Sequence, residues 1–121
     1  MDKFDFKKNL EDRLINFAVV IIEKVKNLPD DRVGNHLGGQ LLRSGTSPSL
    51  NYGEALGAES RKDFIHKLGI VLKELRESLN CLKILHRIGY IHDDKAIKEC
   101  NELISIFVKS TQTAKANSGL I

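Results

Sequence analysis

Residues 41–55 read Leu41-Leu42-Arg43-Ser44-Gly45-Thr46-Ser47-Pro48-Ser49-Leu50-Asn51-Tyr52-Gly53-Glu54-Ala55. They lie within a helical pattern of about residues 31–57. At 100° per residue, one face of that helix carries mostly small or polar side chains, which let a neighbouring helix come close. Pro48 removes one backbone donor, so we expect a kink near residues 44–48. The segment is predicted to form the surface against which the other helices pack.

Three further stretches have the apolar spacing of amphipathic helices, over about residues 8–27, 61–88 and 94–115. Pro29, Gly57 and Gly89 mark the turns, and Ser60 is expected to cap the third helix. Four helices joined by short loops predict an all-α, up-down-up-down antiparallel four-helix bundle with a kinked helix 2. Residues 1–121 are expected to form this single domain.

Composition limits the class of protein. Charged residues make up 29% of the chain, and the formal net charge is +3, as in an ordinary, mildly basic globular protein. No apolar run approaches the roughly 20 residues of a membrane span, and residues 1–8 have no apolar signal core. We therefore predict a cytoplasmic protein without a membrane partner. Cys81 and Cys100 are expected to be buried thiols in a reducing compartment.

A polar ladder is predicted between helices 2 and 3. A turn near Ser60 would place Arg43 level with Glu77. The same register pairs other polar residues, so that the predicted ladder comprises Arg43, Ser47, Asn51, Glu54, Lys67, Glu74 and Glu77. Such a ladder would fix the register, because a slip of one turn would leave buried charge unpaired. The alternative is a carboxylate site in which the three glutamates act as acid, base or metal ligands, although ion-pair networks are more often structural.

The basic excess of the chain lies on helix 3, within one arc opposite its leucine stripe. Its members are Lys62, Lys73, Arg76, Lys83 and Arg87. They could form a solvated outer face, or a phosphate-binding stripe ~35 Å long. Few aromatic residues are present to stack bases, so binding would depend on shape and charge. That favours structured RNA or duplex over single strands.

No catalytic or cofactor motif is present in the sequence. The four histidines, His36, His66, His86 and His92, form neither an HExxH motif nor the Glu-x-x-His pairs of a di-iron bundle. The glycines of helix 2 match no phosphate-binding loop. We therefore expect a protein that is not an enzyme and that needs neither metal nor cofactor.

Several quoted segments resemble a known family. They are Gln40-Leu41-Leu42-Arg43-Ser44-Gly45-Thr46-Ser47, Asn51, Glu54-Ala55, Glu59-Ser60, Asp63-Phe64-Ile65-His66-Lys67-Leu68, Leu72-Lys73-Glu74 and Arg76-Glu77-Ser78. The chain resembles the small bacterial four-helix bundle proteins encoded in intervening sequences of large-subunit ribosomal RNA genes. A related branch is the accessory variability determinant of diversity-generating retroelements. That branch implies a homopentamer that binds nucleic acid, and a reverse transcriptase partner if one is encoded nearby.

Two hypotheses of function follow, with a third held as a minority view. The first is an oligomeric scaffold, a pentamer by resemblance, that binds structured RNA or DNA through helix 3. The second is an assembly module without nucleic-acid binding, in which the apolar face of helix 1 and the packing surface of helix 2 make subunit contacts. The third is an enzyme using Arg43 with Glu54, Glu74 and Glu77.

Overall fold

The computed structural model describes residues 3–119, except for the side chain of Phe4. Within that range the chain forms four helices and no strand, which confirms the predicted all-α class. The helices are α1 (Lys3–Lys26), α2 (Arg32–Leu56), α3 (Arg61–Arg87) and α4 (Lys95–Asn117). No helix in the described range combines the length and apolar character of a membrane span.

Local chemistry sets the helix boundaries. The side chain of Asp31 accepts a hydrogen bond from the Gly34 backbone N–H at 2.7 Å, which satisfies a free donor in the first turn of α2. Ser60 caps α3 as predicted, accepting from the Asp63 N–H at 3.0 Å. After α3, Gly89 takes a φ of +83°, a left-handed conformation that glycine adopts without steric cost. Asp31, Ser60 and Gly89 therefore each match the local backbone that they form.

The helices pack as a ring of neighbours, α1 on α2, α2 on α3, α3 on α4 and α4 on α1, as in a four-helix bundle. The last of these contacts is the least extensive. Side chains from all four helices meet in one core, where Tyr52 of α2 packs edge-on against Phe107 of α4 with ring centroids 5.4 Å apart. The residues of the core that are fully buried include Leu14, Phe17, Ile21, Leu41, Leu68, Val71, Leu75, Leu82, Leu85, Leu103 and Phe107.

Two consecutive residues of α2 contact its two neighbouring helices. A Cβ added to Gly45 would lie 2.6 Å from Cγ2 of Ile21 on α1 and 3.0 Å from its Cβ. The fully buried hydroxyl of Ser44 lies 3.0 Å from the Ser78 hydroxyl on α3. Small residues therefore bring α2 close to both of its neighbours, as the sequence predicted for this segment. Pro48 is buried within α2, and the kink expected beside it stays a prediction.

Both cysteines are buried thiols without a disulfide. The Cys100 Sγ–H donates to the Leu75 carbonyl oxygen of α3 at 3.2 Å. Burial raises the pKa of Cys100 to about 12. Burial also raises the pKa of Cys81, and the negative charge of Glu77 raises it further. Both side chains therefore act as small core residues.

Adding a methyl group to Gly45 should destabilise the bundle. Gly45→Ala gains helix propensity but forces the new Cβ into the branched side chain of Ile21, so we expect a net loss of about 1–3 kcal/mol in the free energy of unfolding. Gly53→Ala is the matched control, because no atom lies within 4 Å of its added Cβ. Gly53→Ala should raise the free energy of unfolding by up to about 1 kcal/mol. Urea denaturation measures the free energy of unfolding of both variants. Equal changes in the two variants would contradict the close contact between Gly45 and Ile21.

Candidate functional surfaces

The five predicted cations of α3 all belong to a solvent-facing arc. Lys62, Lys73, Arg76 and Arg87 are exposed, and Lys83 is half-buried at the edge next to α4. At 100° per residue they fall within about 80° of helix circumference, and the arc is about 38 Å long. None of the five forms an ion pair with another described residue. The arc therefore presents unneutralised positive charge along the outside of the bundle.

Acidic residues of α3 are absent from this arc because they lie on its flank towards α2. Glu74 is only 8% exposed, and its carboxylate accepts from Nη1 of Arg43 at 2.8 Å. Nη2 of the same guanidinium pairs with Glu77. One arginine of α2 thus binds both carboxylates, in contacts that need the fixed fork of the guanidinium group.

The other residues of the predicted ladder follow two patterns. Lys67 of α3 lies 3.5 Å from the carboxylate of Glu54 on α2. Ser47 and Asn51 bond to each other instead of reaching across to α3, since the Asn51 amide donates to the Ser47 hydroxyl at 2.8 Å and to the Ser47 carbonyl at 3.0 Å. The structure therefore joins the charged residues across the two helices and leaves the two neutral ones on α2.

A buried contact that the sequence reasoning missed lies beside Arg43. The Ser78 hydroxyl is within 3.0 Å of both the Ser44 hydroxyl and the carbonyl oxygen of Glu74, one turn earlier on α3. The register used to align helices 2 and 3 would have placed Ser44 near Ser78, but nothing in the sequence marks these serines among the others. The hydroxyl pair connects the packing contact of α2 to the ion-pair cluster.

The three glutamates of the catalytic hypothesis are divided between two ion-pair partners. Glu54 pairs with Lys67, whereas Glu74 and Glu77 pair with Arg43, and none of the three lines the groove at the end of the bundle where α2 turns into α3. Within residues 3–119, no group of three or more His, Cys, Asp or Glu side chains lies close enough to hold a metal ion. All three carboxylates therefore take part in ion pairs between α2 and α3.

Large apolar side chains remain exposed on α1 and α2. Val19 is 52% exposed and Leu50 is 69% exposed, and Ile15 and Leu42 lie on the same two helices. In contrast, the small residues of α2 face inward, because Ser44 and Gly45 are closed off by α3 and α1. The small residues of the packing surface of α2 are therefore used within the chain, and the expectation that α1 and α2 contact another subunit stays a prediction. Four of the exposed apolar residues of these helices are here called the α1–α2 apolar surface: Ile15, Val19, Leu42 and Leu50.

Comparison with known proteins identifies one family. Residues 9–109 match the family model described as 23S rRNA-intervening sequence protein. A crystal structure of a protein with unknown function from the S23 ribosomal protein family of Bacteroides thetaiotaomicron is 34% identical in sequence, with a TM-score of 0.79. The similarity covers 84% of this chain and 97% of that one. None of the curated proteins matches the chain.

Removing Arg43 should leave Glu74 buried without its charged partner. We expect Arg43→Ala to cost about 1–3 kcal/mol in the free energy of unfolding, because desolvation of an unpaired acceptor is no longer offset. Arg13→Ala is the matched control, because Arg13 also bridges two carboxylates, Glu99 and Glu102, neither of which is buried as Glu74 is. It should cost no more than about 1 kcal/mol. Thermal or urea unfolding tests this, and equal losses would argue against a special role for the Arg43 cluster.

Proposed function

The chain belongs to the 23S rRNA-intervening sequence protein family, and we propose that it is a non-enzymatic, oligomeric bundle that binds structured RNA through the outer arc of α3. The observation that carries the proposal is the unpaired state of Lys62, Lys73, Arg76, Lys83 and Arg87. Cations without intramolecular partners can neutralise phosphates without first breaking an ion pair. Release of counterions from the nucleic acid would then drive binding.

The geometry of the arc favours a helical nucleic acid. A straight row of cations about 38 Å long, on one rigid helix, matches phosphates that are regularly spaced along a duplex. No aromatic side chain lies in the arc to stack an unpaired base. Recognition would therefore depend on the shape and charge of the duplex and only weakly on its sequence.

Oligomer formation is supported by the α1–α2 apolar surface. Exposed apolar side chains on two adjacent helices are typical of a surface that contacts another protein. We propose that a second copy of the chain covers it, and that the ring contains five copies, as the resemblance to the accessory variability determinant implies. In such a ring, one basic arc from each subunit would act on the same nucleic acid.

An assembly module without nucleic-acid binding is the second candidate. The same apolar residues, Ile15, Val19, Leu42 and Leu50, favour it, since they account for subunit contacts without any role for the cations of α3. The two candidates agree on the oligomer and differ on the basic arc, so the RNA-binding assay separates them.

Removal of two arc cations should weaken binding to an RNA hairpin of about 16 base pairs. In an electrophoretic shift assay at several salt concentrations, Lys73→Gln with Arg76→Gln should reduce the slope of log K against log salt by about two, one for each lost phosphate contact. A single strand of equal length should compete poorly. Duplex DNA of the same length tests preference for RNA.

The matched control for this assay is Lys8→Gln with Lys26→Gln, two exposed and unpaired lysines of α1. It removes the same net charge and should leave the slope within experimental error of the unaltered protein. Weak binding that does not depend on salt would contradict the proposal, as would an equal loss in the control. Oligomers that show no RNA affinity would favour the assembly module.

Charge placed on the α1–α2 apolar surface should break the oligomer. Val19→Glu and Leu50→Glu introduce a carboxylate that would be desolvated in a subunit interface, so each should lower the mass measured by light scattering during gel filtration. Ile84→Glu, at a site on α3 that is 47% exposed, is the control and should leave the mass unchanged. A monomeric mass for the unaltered protein would overturn the proposal that the chain forms an oligomer.

A further inference from the structure

A groove opens at the end of the bundle where α2 turns into α3. The beginnings of α1 and α3 and the ends of α2 and α4 line a groove of about 730 Å³. That volume is within the range of about 300–1,000 Å³ that is usual for small-molecule sites. The groove does not include the α3 arc residues or the Arg43 cluster, so neither of the surfaces described above accounts for it.

The floor of the groove is apolar. Leu10, Leu68 and Ile106 contribute aliphatic surface from three helices. The ring of Phe64 is also present, but the Arg61 guanidinium carbon lies 5.9 Å from its centroid, in a cation–π contact. Since that ring already has a cation over its face, the floor suits a flexible aliphatic chain better than a flat base that would need to stack.

Tyr52 supplies an unused donor at this floor. Its side chain lines the groove and is only 4% exposed, yet its hydroxyl has no hydrogen-bond partner among the described residues. No fully buried side-chain oxygen or nitrogen within the described residues lacks a partner, so this hydroxyl must reach open space. Burial raises the pKa of Tyr52 to about 12, and the Glu11 carboxylate acts in the same direction, so the hydroxyl keeps its proton at neutral pH.

Charge at the rim has mainly one sign. Glu59 is the acidic residue that lines the groove, against the cations Lys3, Lys7, Arg61 and Lys109. None of these four forms an ion pair with a described residue. Apolar residues lined up with unpaired cations from α1, α3 and α4 in one groove are complementary to a molecule with an aliphatic body and a negative head.

We propose that this groove binds a single-chain anionic amphiphile. Its aliphatic tail lies over Leu10, Leu68 and Ile106, and its head, a carboxylate or a phosphate, faces Arg61, Lys109 and the Tyr52 hydroxyl. The tail is held by burial of apolar surface, and the head by charge-assisted hydrogen bonds. This site does not depend on the RNA-binding proposal and would stand if that proposal failed.

Calorimetric titration with three ligands of equal tail length tests the site. Dodecanoate and dodecyl phosphate carry the two anionic heads, and dodecyltrimethylammonium carries the opposite charge, all below their micelle concentrations. We expect saturable binding of one or both anions, the tighter of which identifies the head, and binding of the cation at least about tenfold weaker. Arg61→Gln with Lys109→Gln should weaken anion binding by about tenfold or more.

The matched control is Lys73→Gln with Arg76→Gln, which removes two cations outside the groove and should leave the affinity for dodecanoate unchanged. Tyr52→Phe keeps the ring against Phe107 and should weaken binding severalfold through loss of the donor. Absence of binding by both anions would overturn the proposal, as would equal affinity for the cation or an equal loss in the control. The three ligands are compared on the unaltered protein, so this comparison tests the proposed site even if a variant does not fold.

Discussion

The close approach of α2 to both of its neighbours is the constraint on which the rest of the structure depends. Gly45 faces Ile21 of α1, and Ser44, the preceding residue, faces Ser78 of α3. Neither position has room for a larger side chain, since protein interiors are packed to near-crystalline density. Two adjacent small residues therefore set the positions of α1 and α3 relative to α2.

Packing and surface charge are coupled at this point. Arg43 directly precedes Ser44, so the backbone that seats Ser44 against α3 also brings the guanidinium group to Glu74 and Glu77. Arg43 therefore neutralises both carboxylates on the flank of α3 that faces α2. The charged side chains on the outer arc of α3 are then the lysines and arginines. The electrostatic character of the proposed RNA surface is thus a consequence of how α2 and α3 pack.

The contact between α1 and α4 has a different character. These two helices make the least extensive contact of the bundle, to which the ion pair of Arg13 with Glu99 at 2.6 Å contributes. Lys24 of α1 also pairs with Asp93, in the loop before α4, at 3.3 Å. Partly exposed ion pairs of this kind add little stability. Beyond them, towards the start of α1, the helix ends leave the groove open and expose the Tyr52 hydroxyl to it. The bundle is tightly packed around α2 and open at one end.

Much of the fold was predictable from local patterns. Apolar spacing predicts four helices, and Ser60 and Gly89 mark boundaries, because helix periodicity and capping depend on neighbours in sequence. The start of α1 was placed near residue 8 and lies at Lys3, since Phe6 continues the helix but remains exposed and so gave a weaker signal. The charged contacts of Arg43 followed from the register of a short turn, a geometric consequence of connected helices.

The sequence by itself determined the helices, their order and the basic character of α3, since each depends on residues a few positions apart. Only the tertiary structure decided that Ser47 and Asn51 bond along α2, that Ser44 meets Ser78, and that the small residues of α2 are used within the chain. The groove is also a feature that only the tertiary structure decided, because the residues that line it come from positions 3 to 117. Such features depend on distances between separate helices, and no local pattern in a sequence specifies those distances.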